Sequence, residues 1–593
     1  MSVLAALNRA YERLREQSAV PAFGYSTQQI GFLISLNDDG SPAGMPVDLR
    51  EGEGKKKTAR PIPVPQPAKR TSGIAPNFLW DKTSYVLGVT AGAGKRLAQE
   101  HEAFTQLHEQ LLAGTEDTGL LALLRFLRQW RAADFDRLGW PEEMKDQNII
   151  FALERERRSN IYIHNRPAAQ AMLAQLLADK EGGEAVCLVS GEQAPVARLH
   201  PPVKGVWGAQ SSGASLVSFN LDAFTSYGHE QGDNAPVSEY AAAAYTAALN
   251  KFLERGSRNR IQIGDASTVF WAEGPQTHLA ETVFSAMHGD QPASGDSVNE
   301  ESEAKKVGAI LEAIRTGIPL VEVAPELHAG VRFYVLGLAP NAARLSIRFW
   351  LEDDFGNLVR NYQRFLSDLQ VQPLSERDEA APLWRYLIET ATLGKRENIP
   401  PRLGGDWMRA ILAGTNYPLT LMSTILMRLR ADKQVNALRV AMLKAVLVRN
   451  FGKTKEAPVA LDPENRNKGY LLGRLFAVYE QIQYAALGRH VNATVKDKFY
   501  GSASTQPRKV FPVLSSGSAP HLSKVGKQSP GYRITLERRV GEIMDLMSPG
   551  DDPFPPHLSS EEQALFALGY YHQRNEFFKS DSSKTSETEE VAQ

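Results

Sequence analysis

At 593 residues the chain is longer than one hydrophobic core normally supports, so two to four domains are expected. Its 42% apolar content and 34 prolines describe a soluble, loop-rich globular protein, and a single cysteine, Cys187, excludes an internal disulfide or a cysteine-rich zinc site. A net charge of −1 excludes a uniformly basic nucleic-acid binder, because phosphate contacts supply non-specific affinity.

In chain order, Leu4, Leu7, Tyr11 and Leu14 recur at helical spacing and predict an opening amphipathic helix over Val3–Glu16. Arg9, Glu12, Arg13 and Arg15 interrupt its apolar run, so it is not a signal peptide. No stretch of membrane-spanning length occurs, and the expected location is cytoplasmic. A strand is predicted at 30–36, closed by the turn Asn37-Asp38-Asp39-Gly40. Residues 41–70, with prolines at 61, 63, 65 and 67, read as an extended excursion, because alternate prolines remove amide donors. Residues 97–140 are helical in pattern and 184–275 are rich in β-formers, with a helix at 239–255 between them. Cys187 sits in a short apolar run and reads as a small core residue. The polar stretch 288–306 predicts a mobile loop.

A hairpin follows. The runs 333–338 and 345–350 flank Ala339-Pro340-Asn341, whose proline and asparagine favour a turn. In the second run Arg344, Ser346 and Arg348 alternate with Leu345, Ile347 and Phe349, which puts guanidinium groups on one face. That face suits phosphate, or is simply solvated. Beyond residue 365 the chain turns helical, with helices predicted at 383–394, 404–413, 417–431, 433–450 and 470–487; Asp462-Pro463-Glu464 is a start signal for the last. A final helix follows Ser559, whose spacing to Glu562 is that of a capping box. The fold class is therefore α+β: a mixed sheet-and-helix body over 1–375, a helical bundle over 376–578, and a serine- and glutamate-rich disordered tail over 579–593.

Enzyme signatures fail on spacing. In Gly88-Val89-Thr90-Ala91-Gly92-Ala93-Gly94-Lys95-Arg96 a phosphate loop would need glycine at 89 and serine or threonine at 96. His101-Glu102 lacks a second histidine one turn on, and Glu352-Asp353-Asp354 diverge as consecutive side chains must, which fits a turn better than a two-metal site. The expectation is a protein that is not an enzyme and holds no metal or cofactor.

Polar and basic groups are more telling. Lys69, Arg70, Thr71 and Ser72 lead through Gly73 to Asn77, and such groups can hold phosphates or meet base edges; Asn77 can equally satisfy a turn. Gln210, Ser211 and Ser212 precede Gly213 on the way to Asn220, a pattern that fits a DNA groove or a tight turn. From 468 to 549 twelve basic residues stand against five acidic ones, a local excess of seven in a neutral chain. Among them Lys496, Lys498, Arg508, Lys509, Lys524, Lys527, Arg538 and Arg539 would make an electrostatic track for a single strand. Phe499, Tyr500, Phe511 and Tyr532 lie between them, either as stacking platforms or as core.

Four blocks also carry a resemblance: Lys69–Ser72 running into Pro76-Asn77-Phe78-Leu79-Trp80-Asp81, residues 208–220, Thr268-Val269-Phe270-Trp271, and the hairpin 333–350. In order, over residues 3–487, they resemble the Csd1-type large subunit of the type I-C CRISPR interference complex, Cascade. The resemblance implies a non-catalytic subunit that recognises the protospacer-adjacent motif (PAM) of double-stranded target DNA and stabilises the opened duplex, or R-loop. It implies as partners the backbone subunits that carry the guide RNA, a small subunit and a recruited helicase-nuclease. Asn77 is then the leading residue for PAM contact, and Arg344 and Arg348 are secondary contacts to phosphate or a subunit. The bundle from about 462 looks like the family's small subunit, which can also be made from an internal start; no methionine lies between Met442 and Met544, so that start would be Met442 or another codon. A stand-alone metal-dependent nuclease and a purely structural scaffold are the competing readings.

Overall fold

The structure is a computed structural model. It describes the chain apart from residues 1, 53–56, 69–72, 179–183, 220, 289–297, 329, 376, 380, 489–492, 548–549, 551 and 591–593, and apart from the side chains of 178, 298–304 and 579–590. The architecture is α+β, and the chain divides into two compact units.

The first unit holds Ser2–Pro201 and Val217–Lys251. It opens with α1 (Val3–Glu16), capped by Ser2 and buried along Leu7, Tyr11 and Leu14 as its spacing predicts. Strands β1 (Tyr25–Ile30), β2 (Phe32–Leu36), β3 (Val47–Asp48), β4 (Arg60–Pro65) and β5 (Asp81–Lys82) follow. After them come α2 (Thr83–Val86), α3 (Leu97–Leu111), α4 (Thr118–Gln129) and α5 (Asp134–Arg137). Then β6 (Asn148–Leu153), α6 (Glu154–Arg157), α7 (Pro167–Ala178), β7 (Glu184–Val186), β8 (Gln193–Pro195) and α8 (Glu239–Phe252) complete it. The central sheet runs β3-β2-β6-β5, with β2 parallel to β6 and buried on both faces, so both read as continuous apolar runs. Residues 60–65 are not an excursion. They form β4, which pairs with β1 alone and buries Ile62 and Val64, because a two-stranded ribbon leaves one edge of β4 where prolines need donate nothing.

The second unit holds Pro202–Leu216 and Phe252–Gln593. Its sheet is antiparallel in the order β12-β11-β10-β9, built from β9 (Arg260–Ile263), β10 (Ala266–Glu273), β11 (Arg332–Asn341) and β12 (Arg344–Asp354). Between β10 and β11 lie α9 (Thr277–His288), α10 (Val298–Arg315), α11 (Leu320–Val323) and α12 (Pro325–His328). Residues 298–306, read from sequence as loop, are the first turns of α10; Glu301 and Lys305 stand four apart, a spacing that supports a helix. The hairpin exists, but Ala339-Pro340-Asn341 remain in β11 and the turn is Ala342-Ala343, with Ala342 at φ +54°. A register shift pairs Gly337 with Phe349 and Leu338 with Ile347. It breaks the expected alternation and leaves Ile347 43% exposed.

After β12 the chain is helical: α13 (Phe355–Leu369), α14 (Leu383–Ile388), α15 (Leu403–Ala413), α16 (Leu419–Asp432), α17 (Ala437–Phe451), α18 (Lys468–Leu487), α19 (Val495–Ala503), α20 (Pro507–Gln528), α21 (Pro530–Asp545) and α22 (Ser560–Glu590). One continuous core links the sheet to these helices, from Phe270 and Phe333 through Trp407 and Phe476 to Tyr570. The Ser559–Glu562 capping box forms as its spacing predicts, and α22 continues past residue 578, where composition alone ends it.

Candidate nucleic-acid interface

In the first unit Ala68 and residues 73–77 lie outside helix and strand and are clamped at Asn77. Trp80 Nε1 donates to the Pro65 carbonyl at 2.8 Å, and Asn77 Oδ1 accepts from the Ala68 N–H at 2.9 Å. Asp81 Oδ2 accepts from the Asn77 N–H at 2.8 Å. His108 Nε2 accepts from the Leu79 N–H at 2.8 Å, which helps hold Leu79 at φ +63°, a left-handed backbone that leucine rarely adopts. Asn77 is only 3% exposed, so it ties Ala68 to the chain before β5 instead of standing at the surface. Lys69, Arg70, Thr71 and Ser72 lie outside the described residues.

For Nε2 to accept, His108 must carry its proton on Nδ1, which lies 2.7 Å from the Phe104 carbonyl. Burial pushes its pKa down to about 4. Because the folded value lies below the unfolded one, this stabilisation is complete above about pH 6.5 and is lost as the pH falls towards 4. His108→Gln, which cannot charge, is expected to be less stable at pH 7 but to lose stability more slowly below pH 6.5. The difference approaches about 1.4 kcal/mol per pH unit for one proton. Parallel denaturation curves for the two proteins would remove His108 from the clamp.

In the second unit Gln210, Ser211 and Ser212 are exposed, in a turn closed by the Gly213 N–H on the Gln210 carbonyl at 2.9 Å, with Gly213 at φ +99°. The turn is carried on a short ladder in which Val203 and Ala214 exchange both backbone hydrogen bonds. Ser215 then joins the start of β12, donating to the Ala343 carbonyl and accepting from the Leu345 N–H. The polar turn is thereby fixed to the hairpin tip, where Arg344 is half-buried. Arg348 takes the internal alternative and donates from Nε and Nη2 to Asp265 Oδ2 at 3.1 and 2.7 Å. Asn220 lies outside the described residues. Sequence reasoning missed Trp207, 58% exposed in the same loop; a tryptophan between Gly205 and Gly208 was the available signal.

The basic C-terminal region is helical. Lys498, Arg508, Lys509, Lys524, Lys527 and Arg538 are exposed, while Lys496 and Arg539 are half-buried. Arg508 pairs with Asp552, and Arg538 and Arg539 share Glu542. The five lysines make no ion pair among the described residues. On α20, Lys509, Lys524 and Lys527 fall on one face with Val513, Ser516 and Pro520, opposite buried Phe511, Leu514 and Val525. Lys509 and Lys527 are roughly 27 Å apart along the axis. The interleaved aromatics belong to the core: Tyr500 and Phe511 are buried, and Phe499 and Tyr532 pack against the same cluster.

The acidic run Glu352-Asp353-Asp354 is not a turn but the end of β12, paired with Arg332–Tyr334, and its two aspartates serve the start of the next helix. Asp354 accepts from the Gly356 N–H at the start of α13, and Asp353 accepts from Asn357 Nδ2. Among the described residues no cluster of histidine, cysteine, aspartate or glutamate is arranged to hold a metal ion, and no helix is long and apolar enough to cross a membrane.

Compared with known protein families, residues 7–578 match the one described as CRISPR-associated protein (Cas_Csd1). No curated protein matches the chain. Since the family match runs from the first helix into the last, the chain belongs to the Csd1 family of CRISPR-associated proteins.

Proposed function

We propose that the protein is the non-catalytic large subunit of a type I-C guide-RNA complex. In this reading it recognises the PAM of double-stranded target DNA, stabilises the R-loop with a small subunit, and supports recruitment of a helicase-nuclease to guide-bearing backbone subunits in the cytoplasm. The observation that carries it is membership of the Csd1 family over nearly the whole chain. The geometry adds chemical support. The exposed amide and hydroxyls of Gln210–Ser212 suit a groove, and Lys69 and Arg70 add cations to the sequence that leads to Asn77. Three lysines that make no ion pair among the described residues line one face of α20 and suit a displaced strand. A non-catalytic role is favoured by His108, His164 and His288, which burial makes poor proton acceptors near neutrality, with pKa values pushed down to about 4, about 4 and about 3.

The decisive measurement is target-duplex binding by the guide complex, with and without this chain, across a library of PAMs. PAM discrimination is expected to depend on the chain; an equal loss for every PAM would leave only a scaffold. Within the complex, replacing Lys509, Lys524 and Lys527 together with glutamate is expected to weaken binding of the opened target. The salt dependence should flatten by about 2 in log–log slope, at about 0.7 per lost single-strand contact. An unchanged slope would take α20 out of the DNA path.

A further inference from the structure

The helices of the second unit enclose a recess of about 330 Å³, at the small end of the roughly 300–1,000 Å³ typical of ligand sites. Glu480, Gln481 and Tyr484 line it from one face of α18, Lys496 from the start of α19, and Arg574 and Phe578 from successive turns of α22. Its rim is aromatic: Tyr484 and Phe578 are 41% and 52% exposed. Its floor is polar and nearly balanced in charge. Glu480 accepts from the Tyr570 hydroxyl at 2.5 Å, with Arg574 Nε 3.9 Å away, and the Arg574 guanidinium lies 5.5 Å from the Phe578 ring centroid. Among the described residues Lys496 makes no ion pair, since neighbouring Asp497 turns its carboxylate back onto Thr494 in a capping box.

Hydrogen-bonding capacity of both signs is left over. Gln481 spends its Nε2 on the Tyr532 hydroxyl, which leaves Oε1 as an acceptor. Gln483, also in the lining, spends Oε1 on the Val495 N–H, which leaves Nε2 as a donor. Half-exposed aromatic rings, mixed amide groups and a lysine with no ion pair among the described residues make up the complement of a nucleotide: a base to stack, base edges to meet, and a phosphodiester carrying a single charge. A free nucleotide, whose terminal phosphate carries more charge, would call for a cluster of cations.

We infer that this recess holds one nucleotide of the displaced DNA strand, its base against Tyr484 and Phe578 and its phosphate on Lys496. The inference rests on the reading of the C-terminal helices as a single-strand path and adds to it a point of capture. A smooth electrostatic track lets a strand slide, whereas a stacked base fixes its position.

The test uses the full chain and a single-stranded oligonucleotide carrying one 2-aminopurine. Stacking is expected to quench the 2-aminopurine. Tyr484→Ala with Phe578→Ala is expected to abolish that quenching and weaken binding about tenfold, within the 1–3 kcal/mol usual for one stacked base, without changing the salt slope. Lys496→Gln is expected to lower the slope by about 0.7. Replacing Lys509, Lys524 and Lys527 by glutamine should lower the slope while leaving the quenching intact. Both aromatic side chains are half-exposed, so the melting temperature should not move; if it does, Tyr484→Trp, which keeps a stacking face, should retain quenching. Affinity and quenching indifferent to the aromatic replacements, while the lysine variants still weaken binding, would overturn the recess and spare the track. No binding of single strands by any form would instead overturn the track itself. Competition by free dAMP at oligonucleotide concentrations would overturn the assignment to a strand.

Discussion

Gly473→Ala is expected to destabilise the helical bundle, although alanine is the better helix former by about 1 kcal/mol. A Cβ at Gly473 would stand 2.0 Å from the Phe566 carbonyl oxygen and 2.8 Å from the Tyr570 nitrogen. The same crossing is tight one turn earlier, where a Cβ at Gly469 would lie 2.5 Å from the Glu562 carbonyl oxygen. From the other side, a Cβ at Gly569 would lie 2.1 Å from the Tyr470 carbonyl oxygen. Three glycines thus let α18 and α22 meet backbone to backbone, and no side-chain rotation can relieve the clash. The helices must separate, which loosens fully buried Leu472, Phe476, Leu565 and Phe566 on both sides. Overpacking of this kind costs at the upper end of its usual range, about 3 kcal/mol or more, so the steric term outweighs the propensity gain. Gly541 on α21 supplies the opposite sign. A Cβ there meets nothing within 4 Å, and Gly541→Ala is expected to stabilise by up to about 1 kcal/mol. Denaturant titration of both variants decides the matter. Equal and small effects would mean that the helices do not cross as closely as the glycines imply.

That crossing also marks a limit of what the sequence disclosed. Leu471, Leu472, Leu475 and Phe476 identify α18 as a buried helix, and they are buried. The Gly469–Gly473 spacing was in plain view, but its meaning depends on Gly569, nearly a hundred residues away. The same distinction runs through the chain. Val3–Glu16 and the Ser559 cap were legible because their signals are local, whereas β4 was hidden by prolines that only an unpaired edge makes harmless. Within α20, Pro512 and Pro520 argue against a helix, yet burial of Val510, Phe511, Leu514 and Val525 carries one through. The candidate interface behaved likewise. Lysine-rich composition located the exposed cations of α20, but the burial of Asn77 follows from partners at Ala68 and Asp81 in the folded loop. The recess near Lys496 joins Tyr484 to Phe578 and could not be read from either neighbourhood alone.

Asp368→Ala is expected to cost about 3–5 kcal/mol, the penalty for stranding a buried cation. Asp368 ends α13 at 6% exposure, and its Oδ2 accepts from Arg449 Nε at 2.7 Å and from the Tyr417 hydroxyl at 2.9 Å. Lys444 donates to its backbone carbonyl at 3.1 Å, so two buried cations of α17 converge on one residue, Arg449 on its carboxylate and Lys444 on its main chain. They would fare differently without it. Burial already pulls the Lys444 pKa down, so lysine can shed its proton, whereas Arg449 cannot and would keep an unpaired charge against the Tyr417 ring. Replacing both Asp368 and Arg449 by apolar residues of similar volume is therefore expected to cost less than Asp368→Ala alone, a sign of coupling that a double-mutant cycle in urea can read. Additive losses would mean that the pair is screened by water and structurally idle. The same network bears on an internal start. A chain beginning at Met442 would carry Lys444 and Arg449 but leave Asp368 behind, inheriting the defect of Asp368→Ala and an α17 shortened by its first five residues. A chain beginning beyond Phe451, necessarily at a codon other than methionine, would leave the whole network with the longer protein and keep the glycine-tight crossing of α18 and α22 intact.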